Sequence, residues 1–74
     1  MSSIFYKKLG KKIFQLRKKT KLSRETFAEI TGINEYYLGE IERGEKHASL
    51  DILFKIANQL NLKIHELINV EDNI

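Results

Sequence analysis

Few side chains in this 74-residue sequence could carry out covalent chemistry. The two histidines, His47 and His65, stand alone, with no cysteine or carboxylate cluster near them at the spacing of metal ligands. Ser23 has no base placed near it by any pattern, and no glycine-rich phosphate-binding loop is present. We therefore predict neither an enzyme nor a bound cofactor or metal, and we expect no small-molecule ligand.

Cations, in contrast, are abundant and lie close together near the start of the chain. Residues 7–24 hold nine of the 13 Lys and Arg, while all 10 Asp and Glu follow from Glu25 onward. The first 24 residues therefore carry +9 and the remaining 50 carry −6. This asymmetry indicates a polyanionic partner, either nucleic acid or an anionic membrane. A solvated helix face explains the charge alone equally well.

The elements that would position these residues are helices. The chain has no proline, and its apolar residues recur at spacings of three and four positions. The predicted helices cover residues 6–19, 23–31, 34–43, a stretch that follows Ser49, and a short last segment, "KIHELI", at 63–68. Their predicted core side chains include Leu9, Ile13, Leu16, Phe27, Ala28, Ile30, Leu38, Ile41, Leu50, Leu53, Ile56, Ala57, Leu60, Ile64 and Leu67.

Capping residues support these boundaries. Ser23, Asn34 and Ser49 are good N-caps, because a short polar side chain can accept a hydrogen bond from a free amide of the first turn. Gly32 and Gly44 are expected to end the second and third helices in the left-handed conformation that glycine adopts most easily. Two short helices across a tight glycine turn form a helix-turn-helix, whose second helix can enter a DNA major groove. The same spacing also occurs in other helical bundles.

The order and spacing of several pieces carry a resemblance to a known family. These are "IFQLR", "LS" followed by "FAEITGI", "YLGEIERG" and "SLDILFKIANQLNL". Over residues 9–68 the chain resembles the Cro/XRE-type, lambda-repressor-like helix-turn-helix family. The resemblance implies one all-α, compact five-helix domain over residues 1–74, with the helix-turn-helix at about 23–43. It also implies a transcriptional regulator, of the repressor or controller type, that binds double-stranded operator DNA as a homodimer.

The resemblance assigns roles to residues around the third helix. Arg17 and Glu42 would form a partly buried ion pair, in which a planar guanidinium takes a carboxylate through two hydrogen bonds. The residues that would face base edges are Glu35, Tyr36, Gly39 and Glu40. The two glutamates depart from the polar or basic residues common at these positions.

Each of these base-facing residues has a chemical reason to be there. A carboxylate could accept a hydrogen bond from the exocyclic amine of cytosine. Tyr36 could contact a thymine methyl or a phosphate, whereas Tyr37 is expected to pack against the domain. Gly39 costs about 1 kcal/mol relative to Ala inside a helix, which suggests a close approach by DNA or by a neighbouring helix. Alternatively, Glu35 only complements the helix dipole and Glu40 is a solvated charge.

Affinity for DNA would have to come from residues around the acidic helix, because carboxylates repel phosphates. Free amides at the start of the second helix can bind phosphate, and a loop with cations follows the third helix. Lys18, Lys19 and Lys21 could reach a flank of the DNA. The predicted phosphate-contacting residues are Ser23, Arg24, Arg43, Lys46 and His47.

The C-terminal segment holds apolar residues that exceed the needs of so small a core. We predict that the last helix and the tail, at about 62–74, form a dimer surface that includes Ile68, Val70 and Ile74, with Phe54 beside it. A frayed tail is the alternative explanation. Phe14 also lies off the main apolar stripe of its helix.

Two other functional classes remain. The acidic third helix would suit a protein-interaction module, such as an antitoxin or an anti-repressor with the same fold. A membrane-surface protein is disfavoured, because the core needs the apolar face of the first helix. No apolar run approaches the length of a membrane span and no signal peptide is evident. We therefore expect a cytoplasmic, DNA-associated protein of bacterial or phage origin, controlled by its concentration because no sensing domain is present.

Overall fold

The described part of the chain folds into five α-helices. The computed structural model describes residues 2–70, with side chains from residue 4 onward. The helices are α1 (Ser2–Lys19), α2 (Arg24–Thr31), α3 (Glu35–Glu42), α4 (Leu50–Gln59) and α5 (Ile64–Ile68). The prediction of a five-helix, all-α fold is therefore confirmed.

The predicted N-caps form as expected. The side chains of Ser23, Asn34 and Ser49 each accept a hydrogen bond from the amide three residues later, at the start of α2, α3 and α4. Each bond satisfies one of the amides that a helix start leaves free. Helix α1 begins at Ser2, four residues before the predicted start at 6, and so includes both serines that precede Ile4.

Two glycines set the connections on either side of α3. Gly32 has φ 77° and lets the amide of Ile33 bond back to the carbonyl of Ala28 over 2.9 Å. Gly44 has φ 75°, and the amide that follows it bonds to the carbonyl of Glu40 over 2.8 Å. Each of these bonds is one of the pair of hydrogen bonds that a left-handed residue permits at the C-terminal end of a helix. The turn from α2 to α3 is therefore short and fixed.

The core lies where α1 packs against α3 and α5, α2 against α3 and α4, and α4 against α5. Most of the predicted core residues are buried there. The buried apolar side chains are Leu9, Ile13, Phe27, Ala28, Ile33, Leu38, Ile41, Leu53, Ile56, Ala57 and Leu67.

Two predicted core residues are exposed instead. Ile30 is 53% exposed, because α2 packs through the side that carries Phe27 and Ala28, and Ile30 lies beyond its edge. Leu50 is 62% exposed at the first position of α4, where its side chain points away from the core. The prediction for both was wrong, since periodicity locates an apolar stripe but not how much of its width a neighbour covers.

Candidate nucleic-acid interface

Helix α3 has one face in the core and one face towards solvent. Leu38, Ile41 and Glu42 are buried. On the other side Tyr36 is 81% exposed, and Glu35 and Glu40 beside it are half-buried. Three of the residues predicted to face DNA bases therefore lie together on the outer side of this helix.

Glu42 belongs to the inner side, where it pairs with Arg17. The Arg17 Nε donates to one carboxylate oxygen over 2.6 Å and its second terminal nitrogen donates to the other oxygen over 3.1 Å. The remaining terminal nitrogen donates to the carbonyl of Leu22 over 3.0 Å. Because the guanidinium and the carboxylate are both buried and hydrogen-bonded, this pair fixes α3 to the end of α1.

A glycine brings the backbones of α1 and α3 together beside this ion pair. Gly10 is buried, and a β-carbon at its position would lie only 2.7 Å from the carbonyl oxygen of Glu42. No real β-carbon approaches backbone so closely. The contact therefore depends on glycine, and with the ion pair it sets the orientation in which α3 presents its outer face.

Gly39 is covered by two arginine side chains. A β-carbon at Gly39 would lie 3.2 Å from Nε of Arg24 and 3.1 Å from a terminal nitrogen of Arg43. Arg24 comes from the neighbouring helix α2, so one of the two expected sources of close approach is present. Gly39 itself is buried beneath these groups, and its base contact stays a prediction.

The arginine that follows α3 has a carboxylate partner. Arg43 Nε donates to one oxygen of Glu45 over 3.0 Å, and a terminal nitrogen donates to the other oxygen over 3.2 Å. Both side chains are about half exposed. This hydrogen bonding raises the pKa of the Arg43 guanidinium and lowers the pKa of the Glu45 carboxyl. Any anion that binds Arg43 must therefore compete with Glu45.

The loop after α3 is held by aromatic residues. The hydroxyl of Tyr37 donates to the carbonyl oxygen of His47 over 2.8 Å, so Tyr37 packs against the domain as predicted. The imidazole of His47 stacks on the ring of Tyr6, with 3.8 Å between ring centroids. Lys46 beside it is exposed. The loop thus holds Lys46 next to the C-terminal end of α3.

Comparison with known proteins places this arrangement in a family. The sequence matches the helix-turn-helix family HTH_3 over residues 13–67. The chain belongs to this family. It is 33% identical over 60 residues to the control protein C.SmaI of Serratia marcescens, which covers 81% of this chain and 71% of that protein. It is 34% identical over 65 residues to the transcriptional regulator SinR of Bacillus licheniformis, over 86% of this chain and 59% of that protein.

A solved structure supports the same assignment for this helix-turn-helix protein. The restriction-modification controller protein C.AhdI of Aeromonas hydrophila superimposes with a TM-score of 0.80 at 35% identity. The superposition covers 84% of this chain and 94% of that one. The chain is therefore a helix-turn-helix, DNA-binding transcriptional regulator of the XRE type, with controller proteins among its homologues. This family consists of DNA-binding regulators and is not a family of enzymes.

In this helix-turn-helix domain, one α1 lysine has a structural use that the sequence analysis missed. Nζ of Lys12 donates to the carbonyl oxygens of Glu66 and Asn69, the latter over 2.9 Å. A cation at this place satisfies free carbonyls and the negative end of the α5 dipole. The two acceptors lie 54 and 57 residues from Lys12 along the sequence, so this contact arises only when the chain folds and is not evident from local sequence patterns.

The two predicted phosphate contacts at the start of α2, Ser23 and Arg24, differ in their hydrogen bonding. The Ser23 hydroxyl accepts from the amide of Thr26 and donates to its hydroxyl over 3.0 Å. Arg24 is half-buried, and its Nε is inaccessible to solvent and has no hydrogen-bond partner among the described residues. Arg24 is therefore the one that still needs an acceptor.

The predicted dimer surface is only partly available. Phe54 is 45% exposed and Ile68 is 36% exposed. Val70 is half-buried and packs against the core, while Ile74 lies outside the described residues. Leu50 lies one turn before Phe54 on the same side of α4 and adds to the exposed apolar surface. None of the described helices is long and apolar enough to span a membrane.

Proposed function

We propose that this helix-turn-helix protein is a sequence-specific regulator that binds a two-fold operator as a dimer, with α3 in the major groove. The observation that carries the proposal is the outer face of α3, where Tyr36 is 81% exposed while the opposite face is held in the core. A short helix fixed at its base and exposed along one side has the shape that fits a major groove.

Base reading and affinity come from different residues in this proposal. Glu35 and Glu40 accept hydrogen bonds from cytosine amines, and Tyr36 contacts a thymine methyl or a phosphate. Arg24, Arg43 and the exposed Lys46 bind phosphates next to α3. His47 holds the loop through its stack on the Tyr6 ring, and Ser23 holds the start of α2. Because carboxylates repel phosphates, the protein discriminates strongly between sequences and binds random DNA weakly.

The dimer would form through the exposed apolar side chains of α4 and α5. The exposed large apolar side chains of these two helices are Leu50, Phe54 and Ile68. Burial of each would contribute about 1.5–3 kcal/mol before the cost of association, since apolar area removed from water is favourable. A dimer with two-fold symmetry would present two copies of α3 to two half-sites.

The names of the relatives favour a controller among the regulators. C.SmaI is a control protein, and C.AhdI is a restriction-modification controller protein that this chain matches over most of both lengths. By similarity, we propose that this protein controls transcription from a promoter in a bacterial or phage-infected cytoplasm, either as a repressor or as a controller. Concentration and dimerisation would then set its activity.

In vitro selection tests this function. The purified protein would be mixed with random duplexes at near-physiological salt, and the bound DNA sequenced after a few rounds. We expect enrichment of a two-fold repeat with half-sites about one helical turn, roughly 34 Å, apart, and cytosines at the positions that face the glutamates. An absence of enrichment, with little binding even at low salt, would contradict DNA recognition by α3.

A protein-interaction role is the second candidate, and the acidic outer face of α3 favours it. Glu35, Tyr36 and Glu40 together present carboxylates and an aromatic ring, a combination that also suits a basic protein partner. An antitoxin or an anti-repressor would use this face in the same orientation. Failure of the DNA selection would direct the next experiment to such partners.

A further inference from the structure

We infer that Gly39 is a positioning residue that seats the guanidinium groups of Arg24 and Arg43 side by side, so that both bind one phosphate of the DNA backbone. The inference rests on the proposed DNA-binding function and adds a physical coupling between three positions. We call Arg24, Arg43 and the glycine beneath them the two-arginine site.

The geometry of the two-arginine site depends on the missing side chain. The point that a β-carbon of Gly39 would occupy is 3.2 Å from Nε of Arg24, 3.3 Å from its central guanidinium carbon, and 3.1 Å from a terminal nitrogen of Arg43. Both guanidinium groups thus lie against the same spot on α3. Any residue larger than glycine would displace the ends of one or both side chains.

The charges around the two-arginine site are unbalanced. Arg24 has no ion-pair or hydrogen-bond partner among the described residues, and its Nε is inaccessible to solvent. Arg43 is hydrogen-bonded to the exposed Glu45, and the carboxylates of Glu40 and Glu42 also contribute to its raised pKa without a hydrogen bond to it among the described residues. The oxygens of Glu42 nearby are already taken by Arg17. Two like charges held this close repel each other unless an anion lies between them.

A cavity at the same place could hold such an anion. It measures 390 Å³ and is lined by Lys11, Phe14, Arg24, Glu42 and Arg43. Phosphate oxygens accept hydrogen bonds from guanidinium groups in a planar, paired geometry. A backbone phosphodiester and free orthophosphate share this chemistry. We assign the site to the phosphodiester, because the two arginines lie over Gly39 of α3, the helix whose outer face approaches the DNA in the proposed complex.

Double-mutant cycles on DNA affinity test the shared phosphate. Arg24→Ala and Arg43→Ala should each weaken binding by about ten-fold or more, the scale of a charged hydrogen bond. The double variant should lose much less than the product of the two factors, because one phosphate is lost in either case. Lys46→Ala is the matched control, since this exposed lysine is outside the site and should combine with Arg24→Ala multiplicatively.

Substitution of the glycine tests its positioning role. Gly39→Ala should weaken DNA binding and lower the dependence of affinity on salt, and Gly39→Leu should do so more strongly. Neither change should weaken binding further when Arg24 is already Ala. The melting temperature of Gly39→Ala should not fall, because Ala favours a helix more than Gly does. A merely structural role for the glycine would lower the melting temperature and leave the salt dependence unchanged.

The outcomes separate this inference from the proposed function. If the wild-type protein selects an operator but Arg24 and Arg43 combine multiplicatively, or Gly39→Ala binds as well as wild type, the two-arginine site is refuted and the DNA-binding function stands. If no operator is selected, both fail. The NMR signal of Arg24 Nε–H should shift with operator DNA and remain in place with millimolar orthophosphate. An equal shift with orthophosphate would refute the assignment to DNA.

Discussion

Arg17 of α1 and Glu42 of α3 form a doubly hydrogen-bonded ion pair inside the domain, with side chains only 5% and 3% exposed. One of the four glutamates in the segment 33–46 is therefore a part of the core and is not directed towards a partner. This placement removes some of the conflict between an acidic α3 and a polyanionic ligand. It also makes the orientation of α3 depend on a residue in α1.

Removal of one partner from this pair should destabilise the protein strongly. Glu42→Ala leaves a buried guanidinium without its carboxylate, and we expect the free energy of unfolding to fall by about 3–5 kcal/mol. Urea denaturation followed by circular dichroism measures the change. Glu45→Ala, which removes an exposed glutamate, is the control and should stay close to wild type. A loss below about 1 kcal/mol for Glu42→Ala would show that the pair is not buried in solution.

Gly10→Ala should be destabilising for a steric reason. The new β-carbon would meet the backbone of Ile41 and Glu42, which cannot move without shifting α3. We expect a loss of about 3 kcal/mol, at the upper end of the usual range for overpacking. Gly39→Ala is the natural comparison, because its β-carbon meets only the ends of flexible side chains. Equal melting temperatures for the two variants would contradict the tight contact between α1 and α3.

Tyr36 and Tyr37 are neighbours with opposite expected roles. Tyr36→Ala should relax sequence preference and leave the stability almost unchanged, because the side chain is 81% exposed. Tyr37→Phe removes the hydrogen bond to the carbonyl of His47 and should cost about 1 kcal/mol, with the sequence preference retained. Selection of random duplexes and thermal melting measure the two effects. An unchanged preference in Tyr36→Ala would exclude this residue from base reading.

Glu45 should act as an internal competitor for DNA. Glu45→Gln removes the negative charge that pairs with Arg43, so we expect tighter DNA binding, by roughly three- to ten-fold, and a steeper salt dependence. The Glu45 carboxyl is ionised at neutral pH, and the hydrogen bond from Arg43 lowers its pKa further, so the carboxyl protonates only in more acidic solution. The negative charge is therefore removed by substitution and not by a change of pH. Filter binding across a series of salt concentrations measures both quantities. Weaker binding in Glu45→Gln would mean that the carboxylate positions Arg43 for DNA.

Phe54 should be central to the dimer. Phe54→Glu places a charge in the apolar surface of α4, and we expect a monomer at concentrations where the wild type is a dimer. Sedimentation at tens of micromolar measures this directly. Lys55→Glu, a change of charge at the next exposed position, is the control and should leave the dimer intact. A monomeric wild type at that concentration would eliminate the dimer.

Local chemistry was sufficient to predict much of this fold. The three N-caps and the left-handed glycines at 32 and 44 form as predicted, because each depends on residues only a few positions apart. Ile30 and Leu50 were placed wrongly, since their exposure depends on how far a neighbouring helix reaches. At Gly39 the sequence indicated a close approach but not that Arg24 from α2 would fill the space. Such contacts arise only from the packing of helices.

The cover that Arg24 places over Gly39 also has a consequence for protein engineering. Transplanting the outer residues of α3 onto a related regulator, or importing them from one, is a common way to exchange operator specificity. In this protein such a graft would move the proposed base-reading residues without Arg24, the α2 side chain that lies over Gly39. Positions 24 and 39 would have to be exchanged together, and natural relatives are expected to change them as a pair.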